Sequence, residues 1–258
     1  MGREMKASAL TFSLFLLLTV GHGSVQADDI KPVRVLMLSG QNNHNWRETT
    51  PRLKQILQAG GRFLVDVTEH PEECNAELLA PYDVLLSNWN TFGQPSVTNW
   101  PPAMREAFVN FVRSGKGVVA VHGGSSSFYD WPEYQQLAGA VWGKETSHGK
   151  MHTNRVVLIA VHPITAGFGN FETYDEFWQN AQVVPGARPL ATVTPGREFG
   201  GSGKPEPVAF ATEFGRGRSF TLLLGHDARA MESDGFQQLL RRGTEWAATG
   251  KVSNQAPR

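Results

Sequence analysis

The stretch from Gly115 to Phe128, GKGVVAVHGGSSSF, constrains the fold more than any other part of the sequence. Val118 to Val121 is a short, mainly β-branched run, which favours a buried strand. The run ends at His122 and two glycines, and the next residues are candidate N-caps of a helix: Ser125, Ser126 and Ser127. When a strand turns tightly into a helix, the residue at the corner is exposed at the end of the strand. The free N–H groups of the first helical turn point at the same spot. In hydrolases with this arrangement the corner carries a nucleophile, whereas here it carries a histidine.

Apolar runs and helical spacing alternate in the first half of the chain. Near-continuous apolar runs are typical of strands in a parallel sheet, and apolar residues at helical spacing indicate helices between them. Strands are predicted at Val33–Ser39, Phe63–Val67 and Tyr82–Ser87, with one helix that starts at Pro51 after a Thr49 or Thr50 cap and another over Pro102–Arg113. This alternation predicts an α/β fold, a doubly wound, mostly parallel sheet of flavodoxin-like type with helices on both faces.

The second half departs from simple alternation. Helices are predicted over Trp131–Gly139 and Asp234–Ala248, and strands over Arg155–Val161, Leu190–Val193, Val208–Phe214 and Ser219–Leu224. The last two strands flank a glycine turn, which predicts a β-hairpin in the C-terminal half.

Several polar and aromatic side chains follow predicted strand ends, namely His44, Asn88, Trp89, His122 and His226. In doubly wound sheets, ligands collect at the carboxyl ends of the strands. We therefore expect these residues to share one rim of the sheet.

The bulk properties exclude one class of partner. The chain has 258 residues with 24 basic and 24 acidic side chains, so its formal net charge is zero. Nucleic-acid binding needs clustered positive charge, and the sequence contains no such cluster. The length suits one large α/β domain or two small ones. Cys74 is the single cysteine, which excludes an intramolecular disulfide, and it is interpreted as a spectator thiol rather than a reactive one.

The first 27 residues have the pattern of a secretory signal peptide. Arg3 and Lys6 precede an apolar run from Ala9 to Val20, and Val25-Gln26-Ala27 supplies the small residues of a cleavage site. The apolar run is too short for a stable membrane span. We expect a mature chain that begins near Asp28, is not held by the membrane and is periplasmic or secreted.

Seven short motifs follow one another along the chain: Ala120-Val121-His122, Trp131-Pro132-Glu133-Tyr134, Ser147-His148, His162-Pro163-Ile164, Asp175-Glu176-Phe177-Trp178, Gly215-Arg216-Gly217-Arg218 and Gly225-His226. Each motif alone is weakly specific, but their order and spacing together resemble the ThuA-like family, named for trehalose utilisation. The resemblance assigns residues 28–250 to one ThuA-like domain and leaves residues 251–258 as a polar tail.

This resemblance implies a class I glutamine amidotransferase-like fold. Amidotransferases of that fold place a cysteine at the strand-to-helix corner, and His122 cannot form the thioester that their reaction needs. Family members resemble parts of pathways that oxidise sugars at the 3-position and then break the 3-keto-glycoside. The expected function is hydrolysis or elimination of a glycoside or 3-keto-glycoside by His/carboxylate acid–base chemistry. The alternative is a non-catalytic sugar-binding or accessory module that partners a secreted sugar oxidoreductase.

The candidate catalytic residues are His122, His226, Asp175 and Glu176. Neighbouring residues of an extended chain point to opposite faces, so only one of the two acids is expected to enter the site. Either acid could act as a general base, orient a histidine or ligate a metal.

Four side chains are candidate substrate contacts: His44, Trp89, Trp131 and Trp178. An aromatic plane suits the C–H face of a sugar ring, and core packing is the alternative for each tryptophan. The expected ligand is a small carbohydrate.

The candidate metal ligands are His148, His122 and His226, for a divalent ion of zinc type. A metal-free acid–base site is the alternative. His152 follows His148 by four positions, which suits one helical turn, but the glycine between them makes a helix there doubtful. His162, before Pro163, is predicted to hydrogen-bond a turn. A homo-oligomer is an open alternative to a monomer.

Overall fold

Nine strands form a mixed sheet in this structure, a computed structural model that describes residues 1–2, 31–93 and 99–253. The strands of the described residues are β1 (Val33–Leu38), β2 (Phe63–Thr68), β3 (Val84–Ser87), β4 (Gly117–Val121), β5 (Ala140–Val141), β6 (Ser147–His148), β7 (His152–Leu158), β8 (Phe171–Asp175), β9 (Trp178–Gln179), β10 (Gln182–Val183), β11 (Arg188–Val193), β12 (Glu206–Phe214) and β13 (Gly217–Leu222). The order in the large sheet is β2-β1-β3-β4-β13-β12-β11-β7-β8, while β5 pairs with β10 and β6 with β9.

The sheet has a parallel half and an antiparallel half. β2, β1, β3, β4 and β13 are parallel neighbours, whereas β13, β12, β11, β7 and β8 pair antiparallel. The prediction of a mostly parallel sheet was therefore wrong for the second half, because short connections without crossover helices join antiparallel neighbours. The predicted hairpin is confirmed: Phe214 pairs with Gly217 across a two-residue turn in which Gly215 has a φ of 61°.

The helices of the described residues are α1 (Trp46–Gln58), α2 (Ala76–Leu79), α3 (Pro102–Arg113), α4 (Pro132–Ala138) and α5 (Asp234–Thr249). On one face of the sheet, Leu53 of α1 and Phe236 of α5 belong to the same apolar core. On the other face, Phe108 of α3 packs against Tyr134 of α4. This arrangement confirms helices on both faces, and α3 has the predicted bounds.

The first helix begins earlier than predicted. The carbonyl of Asn45 accepts the N–H groups of Glu48 and Thr49, so the helix starts at Trp46 and Pro51 lies inside it. Proline lacks the N–H that would donate to the carbonyl four residues earlier in a helix. Pro51 is tolerated here because it is exposed and lies in the second turn from the helix start. A proline cue thus misplaced the start by five residues.

Two further boundaries differ from the predictions. His122–Ser125 forms a 3₁₀ turn, and the next α-helix starts only at Pro132, so the serines do not cap a helix directly after the corner. Strand β7 starts at His152 because its register pairs His152 with Asp175, and it ends at Leu158 rather than Val161.

The described residues from Pro32 to Ser253 belong to one compact unit. The predicted signal peptide falls on residues outside the described part, apart from residues 1–2, and most of the predicted polar tail does too. Among the described helices, none has both the length and the apolar character needed to cross a bilayer.

Candidate functional site

His122 stands at the end of β4 in a conformation that side chains rarely adopt, with a φ of 42°. The two glycines after it are required by close packing. A Cβ at Gly123 would lie 2.6 Å from Asn90 Nδ2, and one at Gly124 would lie 2.1 Å from the Ser87 carbonyl oxygen. The corner therefore leaves no room for a side chain at either glycine. A strained residue that the surrounding structure holds in place is a common feature of functional sites.

The imidazole of His122 has a fixed tautomer. Its Nδ1 lies 2.7 Å from the carbonyl oxygen of Leu223, which can only accept, so Nδ1 carries the proton and Nε2 does not. The side chain is buried, and Nε2 has no hydrogen-bond partner. Burial, together with the neighbouring His44, lowers the pKa of His122 to about 3, so the ring is neutral at pH 7.

His44, in the loop after β1, is oriented in the same way. Its Nδ1 donates to Asn42 Oδ1 at 2.9 Å, and Asn42 Nδ2 donates to the Asn88 carbonyl, which fixes the direction of the Asn42 amide. Asn90 Nδ2 also donates to Asn42 Oδ1. Burial lowers the pKa of His44 to about 4. Nε2 of His44 is therefore an acceptor, as it is in His122.

Asp175 attaches the end of β8 to the end of β13. Its carboxylate accepts the backbone N–H groups of Gly225, His226 and Glu176 at 2.7, 3.2 and 2.8 Å, and the side chain is fully buried. Burial raises the pKa of Asp175 to about 7, against the lowering effect of these three donors. Asp175 thus holds the backbone beneath the site, and of the two predicted acids Glu176 is the one that lines the cavity.

Glu176 lies at the centre of the imidazoles. Oε1 is 3.7 Å from His122 Nε2, and Oε2 is 3.2 Å from His148 Nδ1 and 3.4 Å from His226 Nδ1. Trp178 Nε1 donates to Oε1 at 3.3 Å. Burial alone would raise the pKa of Glu176, but the contact with His226 and the charges of the other imidazoles outweigh it and lower the pKa to about 2. In return, the contact with Glu176 raises the pKa of His226.

Four of these residues could together hold a metal ion. His44, His122, Glu176 and His226 each offer one ligand atom, and these atoms all lie within 4.8 Å of one another. His148, predicted as a ligand, is outside this set and contacts it through Glu176. His44, predicted as a substrate contact, is inside it.

A cavity of about 480 Å³ opens beside this cluster. Three aromatic side chains line it, namely Phe92, Trp142 and Trp178, and Trp142 contacts the other two edge to face at 5.4 and 5.1 Å. The polar lining residues are Asn43, His44, Asn45, Ser126, His148, Glu176, His226 and Asp227. The sequence analysis did not predict six of these lining residues: Asn43, Asn45, Phe92, Ser126, Trp142 and Asp227. Position next to a strand-end histidine would have indicated Asn43, Asn45 and Asp227.

Two predicted substrate contacts lie elsewhere. Trp89 and Trp131 have exposures of 1 % and 6 % and pack around Phe128 at ring distances of 5.1 and 5.2 Å. Both tryptophans belong to the core and neither lines the cavity, so their prediction as sugar contacts is corrected to core packing.

The other singled-out side chains have structural surroundings. His152 stacks on Phe199 at 4.3 Å, and His162 Nδ1 accepts the N–H of Ile164, which confirms the predicted turn. Cys74 is buried, and burial raises the pKa of its thiol to about 11, in keeping with a spectator thiol.

This fold and cluster agree with a family relationship. The chain matches the family model described as "ThuA: Trehalose utilisation" over residues 34–247 and belongs to this family. It is similar in structure to a ThuA-like protein from Parabacteroides merdae, with 31 % identity and a TM-score of 0.78 over 88 % of this chain and 94 % of that one.

Two further solved structures share the fold. A ThuA-like protein from Bacteroides uniformis is 17 % identical, with a TM-score of 0.64 over 90 % of this chain and 98 % of that one. A protein of Salmonella typhimurium described as cytoplasmic is 14 % identical, with a TM-score of 0.62 over 84 % and 99 %. The comparison with curated proteins gave no match.

Proposed function

We propose that this ThuA-family protein is an exported carbohydrate-processing enzyme that cleaves a glycoside or a 3-keto-glycoside. One observation supports it most: histidines and one carboxylate from distant parts of the chain converge on a cavity with aromatic walls. Its volume of about 480 Å³ lies in the range of small-molecule sites. Aromatic rings in a cavity wall suit the C–H face of a pyranose, and the amides of Asn43 and Asn45 suit its hydroxyl groups.

His148 is the base in this proposal. Its side chain is 43 % exposed and lines the cavity. Its Nδ1 donates to the Gly149 carbonyl at 2.8 Å, which leaves Nε2 as an acceptor. Glu176 Oε2, at 3.2 Å from the same Nδ1, would stabilise the imidazolium that forms. This assignment replaces His122, which is buried behind Glu176, as the proton acceptor.

The reaction is an elimination next to a keto group. His148 Nε2 removes a proton from the carbon beside the carbonyl, and the electron pair forms a carbon–carbon double bond. The glycosidic carbon–oxygen bond breaks, and the leaving oxygen takes the proton from His148. Addition of water to the double bond then gives the free 3-keto sugar. The catalysed step needs no oxidant, because the keto group is already present in the substrate.

The test is a product assay with 3-keto-glucosides and the parent glucosides, followed by NMR. We expect release of the aglycone from the keto substrate, and a decrease in kcat of about 10²- to 10⁴-fold in His148→Ala. The exposed His70, far along the chain from the site residues, provides the control His70→Ala, which should keep full activity. Unchanged turnover in His148→Ala would contradict the proposed base. Binding of these sugars without turnover in the wild type would instead support the sugar-binding or accessory module.

We also assign the fold to the class I glutamine amidotransferase-like superfamily, without glutaminase activity. The assignment is supported by the tight corner after β4, where a histidine takes the place of the nucleophilic cysteine. The chain's one thiol, Cys74, is buried with a raised pKa and is not among the residues that line the cavity. No ammonia should be released from glutamine, and release above the level of a Cys74→Ala variant would contradict this.

A further inference from the structure

The cluster of His44, His122, His226 and Glu176 has an unusual balance of donors and acceptors. Because Nδ1 of His122 donates to Leu223 and Nδ1 of His44 donates to Asn42, the Nε2 atoms of both rings are acceptors. Glu176 directs its carboxylate oxygens at the same cluster, with Oε1 3.7 Å from His122 Nε2. A cation between the two Nε2 atoms and the Glu176 carboxylate would stabilise acceptors that otherwise face one another.

His122 Nε2 is the clearest sign that a partner belongs there. The atom is buried, has no hydrogen-bond partner and lies 3.7 Å from Glu176 Oε1, beyond hydrogen-bond range. A buried acceptor left unpaired costs about 1–3 kcal/mol. The strained φ of 42° at His122 keeps the atom in this position. A histidine with a purely structural role would need neither a buried Nε2 without a partner nor a strained backbone that holds it there.

The hydrogen bonds behind the rings have the form found around metal-binding histidines. Such histidines donate their second ring N–H to a carbonyl or an amide, which fixes the tautomer and the direction of the ring. The Leu223 carbonyl and Asn42 Oδ1 serve His122 and His44 in this way. A metal ligand must also offer a free lone pair, and Nε2 of both rings offers one because Nδ1 carries the proton.

We propose that His44, His122, His226 and Glu176 bind one divalent transition-metal ion of zinc type. Three imidazoles and one carboxylate suit zinc and its neighbours better than magnesium or calcium, which prefer all-oxygen sites. The four ligand atoms lie within 4.8 Å of one another, whereas ligands of a tetrahedral zinc ion are roughly 3.4 Å apart, so small side-chain movements close the set. When bound, such an ion polarises a carbonyl oxygen.

Binding of this ion does not depend on the substrate being a sugar, so the two proposals fail separately. If no metal binds, the roles proposed for His148 and the cavity are unaffected. If no sugar is turned over, the proposed metal ligands are unaffected.

The experiment measures metal binding directly. Tag-free protein is stripped with a chelator and titrated with Zn²⁺ in competition with a chromophoric chelator, and metal content is measured by elemental analysis. We expect one ion per chain. Co²⁺ in its place should give visible absorption bands typical of four-coordinate nitrogen and oxygen ligands. His122→Ala and Glu176→Gln should each weaken binding by about 100-fold or more.

A matched control comes from a second group of possible ligands, the exposed His70, Glu72 and Glu73. His70→Ala should bind zinc as tightly as the wild type. Circular dichroism of the metal-free variants checks folding, and His226→Ala, with its ring partly exposed, replaces His122→Ala if that variant fails to fold. The proposal is overturned if the wild type binds no zinc, or if zinc binding survives the site substitutions.

Discussion

Gly124, in the corner after β4, is a position where the neighbouring backbone leaves no room for a side chain. A Cβ there would lie 2.1 Å from the carbonyl oxygen of Ser87 and 2.9 Å from its carbonyl carbon. Both atoms belong to the backbone of β3 at a fully buried residue, so rotation of a side chain cannot relieve the contact. We predict that Gly124→Ala forces the corner away from β3 and destabilises the protein.

The size of the effect follows from the overlap. A distance of 2.1 Å is more than 1 Å below the 3.4 Å at which ordinary van der Waals contact begins. Overpacking of a core costs about 1–3 kcal/mol, and a clash with backbone belongs at the upper end of this range. A loss of about 3 kcal/mol lowers the thermal midpoint of a domain of this size by roughly 6–12 °C.

Urea unfolding followed by tryptophan fluorescence measures this change in the free energy of unfolding. Gly169→Ala is the matched control, since Gly169 is exposed, its Cβ would have nothing within 4 Å and its φ is not positive. The control should stay within about 0.5 kcal/mol of the wild type. If Gly124→Ala were as stable as Gly169→Ala, the close approach of the corner to β3 would be refuted.

Three further substitutions test other parts of the structure. Tyr134→Phe removes the hydroxyl that donates to the Gly124 carbonyl at 2.6 Å and should lower the free energy of unfolding by about 1–2 kcal/mol in urea; an unchanged midpoint would contradict this. Arg62→Met leaves the buried Glu245 carboxylate without the guanidinium 2.6 Å away and should lower the free energy of unfolding by about 3 kcal/mol, measured by calorimetry. A loss no larger than that expected for an exposed ion pair would refute the role of a buried one. Trp142→Ala should raise the KM for the sugar roughly 3- to 10-fold with little change in kcat, and equal KM values would exclude stacking on this ring.

The sequence allowed the parallel half of the fold to be predicted because each buried strand there is a near-continuous apolar run. Strands β1 and β4 were found within one residue at each end. The antiparallel half was harder, because β7 is exposed at alternate positions and its bounds depend on pairing with β8. The early start of α1 was missed because Pro51 was taken as the first helical residue, although Asn45 is of a type preferred at the N-cap and Glu48 follows it by three positions.

The histidines of the cluster were predictable because each of His44, His122 and His226 follows a strand of the parallel half. Their partner was not, because the choice of Glu176 over Asp175 depends on which carboxylate meets the Gly225 backbone. Tryptophans gave no reliable signal from sequence. A large aromatic ring suits a core and a cavity wall equally well, and only the tertiary structure shows which of the two a given tryptophan occupies.

The attachment of β8 to β13 through Asp175 has a consequence for assembly. Glu176 follows the last strand in the order of the sheet, whereas the imidazoles follow strands of the parallel half. A folding intermediate that contained only the parallel strands would hold the histidines without their carboxylate. Completion of the cluster therefore requires docking of the sheet's far edge.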